Sequence, residues 1–205
     1  MSQIAFYILS DVHGFIFPTD FSSREKDLPM GLLKANHLIE QDCVHYDGSV
    51  KIDNGDFLQG SPLCNYLVSK LKSSLPLTSI YNRLGFDFGT VGNHEFNYDL
   101  PYLKQTINQL HYPVLCANII ENAQPFTGQG IHYFKVNGLT IGTIGLTTQY
   151  IPHWEQPDYI KTLTFNSAIH TLKSELPTLR EKSDIVVVSY HGGFERDLDS
   201  GLPTE

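Results

Sequence analysis

Four short segments of the chain carry side chains that suit metal and proton chemistry, and each segment follows an apolar run. In chain order they hold Asp11 and His13, then Asp56, then Asn93 and His94, and last His191. Carboxylate, imidazole and amide oxygen together suit a borderline divalent cation such as manganese, zinc, iron or cobalt. A soft thiolate site is excluded because no cysteine lies in these segments.

Each segment taken alone has an ordinary structural explanation. A carboxylate two residues before a histidine arises by chance, and the glycine-flanked Asp56 could cap a turn. Asn93, His94 and Glu95 stand directly behind a glycine, which is a denser grouping of such side chains. Two glycines follow His191 and allow the backbone to come close to another group. Four such segments, each placed after a predicted strand, favour one shared site over coincidence.

The elements that must position these side chains follow from the hydrophobic periodicity. Apolar runs predict strands over 4–9, 50–52, 86–91, 114–117, 131–136, 139–146 and 185–189. Helical spacing predicts helices over 31–41, 62–71, 77–84, 100–110 and 166–182, the last with a break or kink near Pro177. Asn137 and Gly138 mark a hairpin, and the alternation of strands and helices indicates an α/β fold with largely parallel pairing. Because ligands bind at the carboxyl ends of strands in open α/β sheets, the four segments should meet at one sheet edge.

Length, charge and cysteine usage limit the class of protein. A chain of 205 residues and 23.1 kDa suits one domain. Its net charge of −8 argues against electrostatic binding of a nucleic-acid polymer or an anionic membrane. The three cysteines show no paired spacing and no apolar stretch reaches about 18 residues, so we expect neither a disulfide framework nor a membrane span. The first residues lack the features of a signal peptide, which predicts a cytoplasmic protein.

Taken together, the motifs resemble the calcineurin-like metallophosphoesterase family. The pattern is Asp-x-His at 11–13, Gly-Asp-x-x-x-Gly at 55–60, Gly-Asn-His-Glu at 92–95 and a histidine before glycine at 191, so the resemblance covers nearly the whole chain. The stretches 92–98 and 190–196 look like the branch of 5′-nucleotidases and 2′,3′-cyclic-nucleotide 2′-phosphodiesterases. The resemblance implies a two-sheet αββα sandwich that holds two divalent metal ions and hydrolyses nucleotide phosphoesters by attack of a metal-activated water.

Matching positions extend the resemblance to the roles of single residues. It implies that Asp11 and His13 bind the first metal and that Asp56 bridges both. Asn93 and His191 would bind the second metal. His94 would be the catalytic residue that transfers a proton to the leaving group.

Asn97 departs from the pattern of many 5′-nucleotidases in the family, which carry an aspartate three residues after the catalytic histidine. Asn97 can still accept a hydrogen bond from His94, so we assign both to the catalytic pair. The asparagine resembles the cyclic-phosphodiesterase and 3′-nucleotidase members. Asp99 is a candidate carboxylate to compensate for the missing charge, and Glu95 is expected to contact the backbone or support the ligands rather than bind metal.

The segment after His191 is also shorter than the family pattern. Only 14 residues follow, and none is a histidine, whereas the family continues with a Gly-His-x-His type of motif. We therefore expect residues 1–205 to form a metallophosphoesterase domain, incomplete at its C-terminal end, without the last ligand motif and the C-terminal nucleotide-binding domain. Strands missing there would leave an apolar sheet edge uncovered, which predicts self-association.

Three functions stay open on the sequence alone. The first is a two-metal hydrolase of nucleotide phosphoesters, of the 2′,3′-cyclic-nucleotide phosphodiesterase or 3′- or 5′-nucleotidase type. The second is an inactive or weakly metal-binding remnant of such an enzyme, and the third is a general phosphatase of small phosphoesters. Arg196 could bind a substrate phosphate through its guanidinium, although a surface ion pair is the more ordinary role.

Overall fold

The structure, a computed structural model, describes residues 2–19, 27–194 and 196–204. The strands within these ranges are β1 (Ile4–Leu9), β2 (Gly48–Asp53), β3 (Phe88–Thr90), β4 (Val114–Leu115), β5 (Ile119–Glu121), β6 (Gln124–Pro125), β7 (Ile131–Val136), β8 (Leu139–Thr147), β9 (Thr164–Phe165) and β10 (Ile185–His191). The helices are α1 (Leu32–Asp42), α2 (Pro62–Tyr66), α3 (Leu75–Tyr81), α4 (Leu100–Gln109), α5 (Pro157–Ile160) and α6 (Ala168–Lys182). A π-helical turn, Leu67–Leu71, continues α2, and 3₁₀ turns cover Cys43–His45, His94–Asn97 and Ile151–His153.

The strands form two larger sheets and one small sheet. The first larger sheet is parallel, with the order β1-β2-β3-β4. The second has the order β10-β8-β7, in which β10 runs parallel to β8 and β7 pairs with β8 as the predicted antiparallel hairpin. The small sheet, β6-β5-β9, is antiparallel.

Apolar clusters arrange the elements in four layers. One cluster joins the parallel sheet to the helices and contains Leu32 of α1 and Leu103 of α4. A second lies between the two larger sheets, where the rings of Phe88 and Phe134 have centroids 6.2 Å apart. A third packs Leu179 of α6 against β8. The resulting order of helix, sheet, sheet and helix is an αββα sandwich, as the family resemblance implies.

Two differences from the predicted elements have physical reasons. The small sheet is absent from the prediction because strands of two or three residues are too short to show a period of two. A break at Pro177 is wrong, since α6 is helical from Ala168 to Lys182, and a kink there stays a prediction. The side chain of Leu179 is fully buried against β8, and this packing holds the last turns in place despite the lost hydrogen bond at Pro177.

The second larger sheet has an open edge at β10. Among the described strands, β10 pairs with β8 alone. Val188 and Tyr190 on this strand expose 42% and 37% of their surface. The uncovered edge agrees with the sequence prediction, and self-association through it stays a prediction. None of the described helices has the length and apolar character of a membrane span.

Candidate metal centre

The side chains singled out in the sequence meet at the carboxyl ends of the strands. β1, β2 and β3 are neighbours in the parallel sheet, so the turns that follow them lie side by side. β10 of the other sheet brings its last residue, His191, to the same place. A cavity of about 270 Å³ is lined by Asp11, Asn93 and His191 together.

Left-handed backbone at three of these residues turns their side chains toward one another. Asp11, His13 and Asp56 have φ values of 56°, 50° and 60°. Hydrogen bonds between the turns after β1 and β2 fix them, since the amide of Asp11 donates to the carbonyl of Gly55 over 3.0 Å and the amide of His13 donates to that of Asp56 over 2.8 Å. Gly92 is required beside them, because a Cβ there would lie 2.1 Å from Oδ1 of Asp56. The local backbone thus places the turn of Asp11 and His13 directly beside the turn of Asp56.

Glu95 holds the turn that carries Asp56. Its carboxylate is fully buried and accepts the backbone N–H groups of Asp56 and Gly92, over 2.7 and 2.6 Å, on Oε2. Its Oε1 accepts those of Phe57 and Leu58 over 2.8 and 3.2 Å. Burial raises the pKa of Glu95 and the charge of Asp56 raises it further, while the amide donors lower it. The expectation that Glu95 contacts the backbone is confirmed by these contacts, and its assignment as a supporting residue rather than a metal ligand stays a prediction.

Asn54 joins the two sheets at the site. Its carbonyl oxygen lies 2.6 Å from Nδ1 of His191, and its side-chain oxygen accepts the hydroxyl of Ser189 over 2.6 Å. This leaves Nε2 of His191 facing Asp56. Sequence analysis missed the role of Asn54, although its position between β2 and the Gly-Asp turn is a signal that a polar residue there could act at the sheet edge.

Two groups of metal-capable side chains share the carboxylate of Asp56. Ligand atoms of His13, Asp56 and His94 lie within 4.8 Å of one another, as do those of Asp11, Asp56 and His191. The grouping of Asp11 with His191 differs from the division that the resemblance implies. Because Nε2 of His13 lies 3.9 Å from Oδ1 of Asp11, either division is within reach of these side chains. A buried carboxylate common to two ligand groups is the arrangement that a pair of divalent cations needs.

Asp56 and His191 form a buried ion pair. Nε2 of His191 lies 3.2 Å from Oδ2 of Asp56. Burial by itself lowers the pKa of His191, but the hydrogen bond and charge of Asp56 raise it to about 9. Burial raises the pKa of Asp56, but the hydrogen bond and charge of His191, together with the amide and charge of His94, outweigh this and bring that pKa below its usual value. The carboxylate of Asp56 is therefore ionised, and the oxygen and imidazole groups around it are ligand types that fit a borderline divalent cation.

His94 is held by Asn97 and, through it, by Glu155. Nδ1 of His94 lies 2.6 Å from Oδ1 of Asn97, and Nδ2 of Asn97 donates to Oε1 of Glu155. Asp99 does not fill this role, because its Oδ1 accepts the amide of Tyr102 at the start of α4. The carboxylate in contact with Asn97 is instead that of Glu155, which no sequence motif indicates because it lies 58 residues from Asn97.

Arg196 lies outside the cavity that the ligands line. It lines a neighbouring, largely apolar cavity of about 660 Å³ that also contains Phe194. Its Nη1 donates to the carbonyl of Gly201 over 3.0 Å. A substrate contact by Arg196 therefore stays a prediction. Trp154 lines the smaller cavity beside the ligands and exposes 53% of its surface.

Comparison with curated proteins finds nucleotide phosphoesterases. The chain is 34% identical over 202 residues to a 2′,3′-cyclic-nucleotide 2′-phosphodiesterase/3′-nucleotidase of Salmonella typhimurium, a match that covers 92% of this chain and 31% of that protein. It is 29% identical over 182 residues to a 5′-nucleotidase of Vibrio cholerae, covering 84% of this chain and 32% of the relative. The chain thus spans about a third of the length of these relatives. A cell wall protein of Listeria monocytogenes is 26% identical over 166 residues, covering 70% of this chain and 21% of the relative, and the cytoplasmic location stays a prediction.

Solved structures give the same result. A structure described as a 5′-nucleotidase of Staphylococcus aureus, in complex with alpha-ketoglutarate, is 64% identical with a TM-score of 0.92, covering 98% of this chain and 40% of that one. The calcineurin-like phosphoesterase YfkN of Bacillus subtilis has a TM-score of 0.83 at 24% identity, covering 97% of this chain and 65% of that one, and it shows the shared fold. No family model matches the sequence. Matches over almost the whole chain, together with the ligand turns at the sheet edge, lead to one conclusion: the chain belongs to the calcineurin-like metallophosphoesterase family, in the branch of 5′-nucleotidases and 2′,3′-cyclic-nucleotide phosphodiesterases.

Proposed function

We propose that this chain carries the metal-binding part of a hydrolase that cleaves nucleotide phosphoesters with the help of two divalent cations. The observation that supports this most directly is the buried carboxylate of Asp56, which lies within 4.8 Å of ligand atoms on both sides. The similarity to cyclic phosphodiesterases and 3′- and 5′-nucleotidases supports a nucleotide as substrate. We further propose residues 1–205 as a metallophosphoesterase domain.

The residues proposed to hold the cations supply oxygen and imidazole ligands. Asp11 and His13 would serve the first cation, Asn93 and His191 the second, and Asp56 both. Divalent cations bound there would neutralise the phosphate and lower the pKa of a bound water. The chain has a net charge of −8, so its lysine and arginine side chains could not do this in their place. Manganese, zinc, iron and cobalt all suit this set of ligands.

His94 is proposed to transfer the proton that the leaving group needs. Its Nδ1 is engaged by Asn97, so Nε2 is the nitrogen available on the side of the ligands. From there an imidazolium could protonate the departing alkoxide oxygen as the ester bond breaks. Asn97 orients the ring without adding charge, and because an asparagine here resembles the cyclic-phosphodiesterase and 3′-nucleotidase members, we propose that type over the 5′-nucleotidase type.

Manganese titration by calorimetry, combined with hydrolysis of bis(p-nitrophenyl) phosphate, tests the proposal. Two bound ions per chain with turnover would support the hydrolase. One weak site without turnover would support the alternative, a remnant that retains the fold and part of the ligand set. Comparison of 2′,3′-cyclic AMP, 3′-AMP, 5′-AMP and a sugar phosphate as substrates then separates a nucleotide phosphoesterase from a general phosphatase of small phosphoesters.

A further inference from the structure

We propose that Glu155 is a positioning residue that fixes the tautomer of His94 through Asn97, and this inference rests on the proposed function of His94. Three side chains from two separate segments form a continuous series of hydrogen bonds. His94 and Asn97 belong to the 3₁₀ turn after β3, and Glu155 follows the 3₁₀ turn Ile151–His153. Nothing in the sequence motifs connects Glu155 with the site.

The donors and acceptors of His94, Asn97 and Glu155 allow only one arrangement of the two hydrogen bonds. An ionised carboxylate accepts hydrogen bonds and cannot donate them. Asn97 must therefore turn its NH₂ group to Glu155, which leaves its carbonyl oxygen toward His94. An amide oxygen is an acceptor, so Nδ1 of His94 must carry the hydrogen. The neutral ring then has its lone pair on Nε2, the nitrogen that remains available to the ligand cluster.

Without the carboxylate, Asn97 loses this constraint. Its amide can rotate by half a turn and present NH₂ to Nδ1, which would stabilise the opposite tautomer with the hydrogen on Nε2. In that form Nε2 has no lone pair with which to receive a proton for the next cycle. Glu155 thereby does by relay what a carboxylate in direct contact with the ring would do, and the pair Asn97 and Glu155 replaces a single aspartate.

The position of Glu155 is well determined by its surroundings. Its amide donates to the carbonyl of Ile151 over 3.0 Å, and the side chain of Ile151 is fully buried in the main core. The carboxylate is partly buried, and this burial raises its pKa, while the hydrogen bond from Asn97 and the charge of His94 lower it. A carboxylate in this place is anchored by the backbone and held between polar partners.

Nitrogen-15 NMR of the histidine rings tests the proposal without any need for turnover. The spectrum of the whole chain is recorded with metal chelated, at about two pH units above the ordinary pKa of histidine. His94 is assigned by its loss in His94→Gln. We expect the Nδ1–H tautomer to dominate in the native chain. In Glu155→Gln the ratio of the Nδ1–H to the Nε2–H tautomer should fall by about tenfold, because one charge-assisted hydrogen bond is lost.

A reciprocal double variant provides the rescue. In Asn97→Asp combined with Glu155→Gln, the new carboxylate accepts from Nδ1 of His94 and the new amide donates to that carboxylate, so the native tautomer should return. Glu181→Gln, an exposed charge removed from α6, is the matched control and should leave the ratio unchanged. The proposal is overturned if folded Glu155→Gln retains the native ratio, or if the double variant folds and does not restore it.

The result is separate from that of the proposed function. If the tautomer responds as expected but the native chain neither binds two manganese ions nor hydrolyses the diester, the proposed function fails and the relay stands. If the native chain is an active hydrolase and the tautomer ratio is the same in Glu155→Gln, the relay is refuted and the proposed function stands.

Discussion

Removing one oxygen from Glu95 should weaken both the fold and the site. The carboxylate accepts four backbone N–H groups, two on each oxygen. Glu95→Gln keeps the size of the side chain but replaces one acceptor oxygen with an NH₂ group. Two buried N–H donors then face another donor, whichever way the amide is turned.

The expected loss follows from the cost of buried donors without a partner. Each such group costs about 1–3 kcal/mol, so the two together predict a decrease of about 2–6 kcal/mol in the free energy of unfolding. All four donors belong to the segment 56–58 or to Gly92, which frame the carboxylate of Asp56. Metal affinity should therefore fall as well, although Glu95 binds no metal in our proposal.

Urea unfolding followed by circular dichroism measures the first effect, and calorimetric titration of the folded variant with manganese measures the second. Glu181→Gln serves as the control because its side chain is exposed. A change in unfolding free energy below about 1 kcal/mol would refute the reasoning, since it would mean that water or a local shift satisfies the amides without Glu95.

Three further variants test other parts of the structure. Asp56→Ala should abolish binding of both cations in a manganese titration, because it removes the shared anion. His94→Asn should leave that titration unchanged and lower the turnover of bis(p-nitrophenyl) phosphate by about 10²-fold or more, and equal loss of metal in both variants would contradict the assigned roles. Burial raises the pKa of Asp53 to about 7, although the hydrogen bond from Tyr112 opposes this. Ionisation is therefore disfavoured in the folded state, and Asp53 lowers the free energy of unfolding as the pH rises from the unfolded pKa of 3.8 toward 7. Asp53→Asn should therefore make urea stability fall by about 2.5 kcal/mol less between pH 5 and pH 8 than in the native chain, and parallel pH curves for the two proteins would contradict this.

Much of the fold and the place of the site could be predicted from local patterns. The run at Ile4–Leu9 is apolar enough to define β1 at its true bounds, and the Asn137–Gly138 turn identifies the β7–β8 hairpin. The rule that ligands bind at the carboxyl ends of parallel strands brings the turns after β1, β2 and β3 together. These features depend on residues close in sequence or on the regular geometry of sheets.

Long-range polar contacts could not be predicted in the same way. Glu155 reaches Asn97 because the segment after the turn Ile151–His153 lies beside the site, and Asn54 reaches His191 because two different sheets meet there. Neither residue stands in a motif, and their side chains become informative only when their partners are known. Asp99 gives the opposite example. It lies close to His94 in sequence, which suggests a contact with that histidine, but its carboxylate caps the start of α4.

The three residues of the site with left-handed backbone imply a conflict between thermal stability and metal binding. Asp11, His13 and Asp56 hold a backbone geometry that glycine adopts freely and that other residues adopt at about 1–2 kcal/mol each. A screen of random variants for heat tolerance alone should therefore enrich glycine at Asp11 and His13, but not at Asp56, because loss of its carboxylate would leave His191 buried without its partner. The more heat-tolerant proteins from such a screen would have lost one carboxylate and one imidazole, and with them part of the capacity to hold a cation.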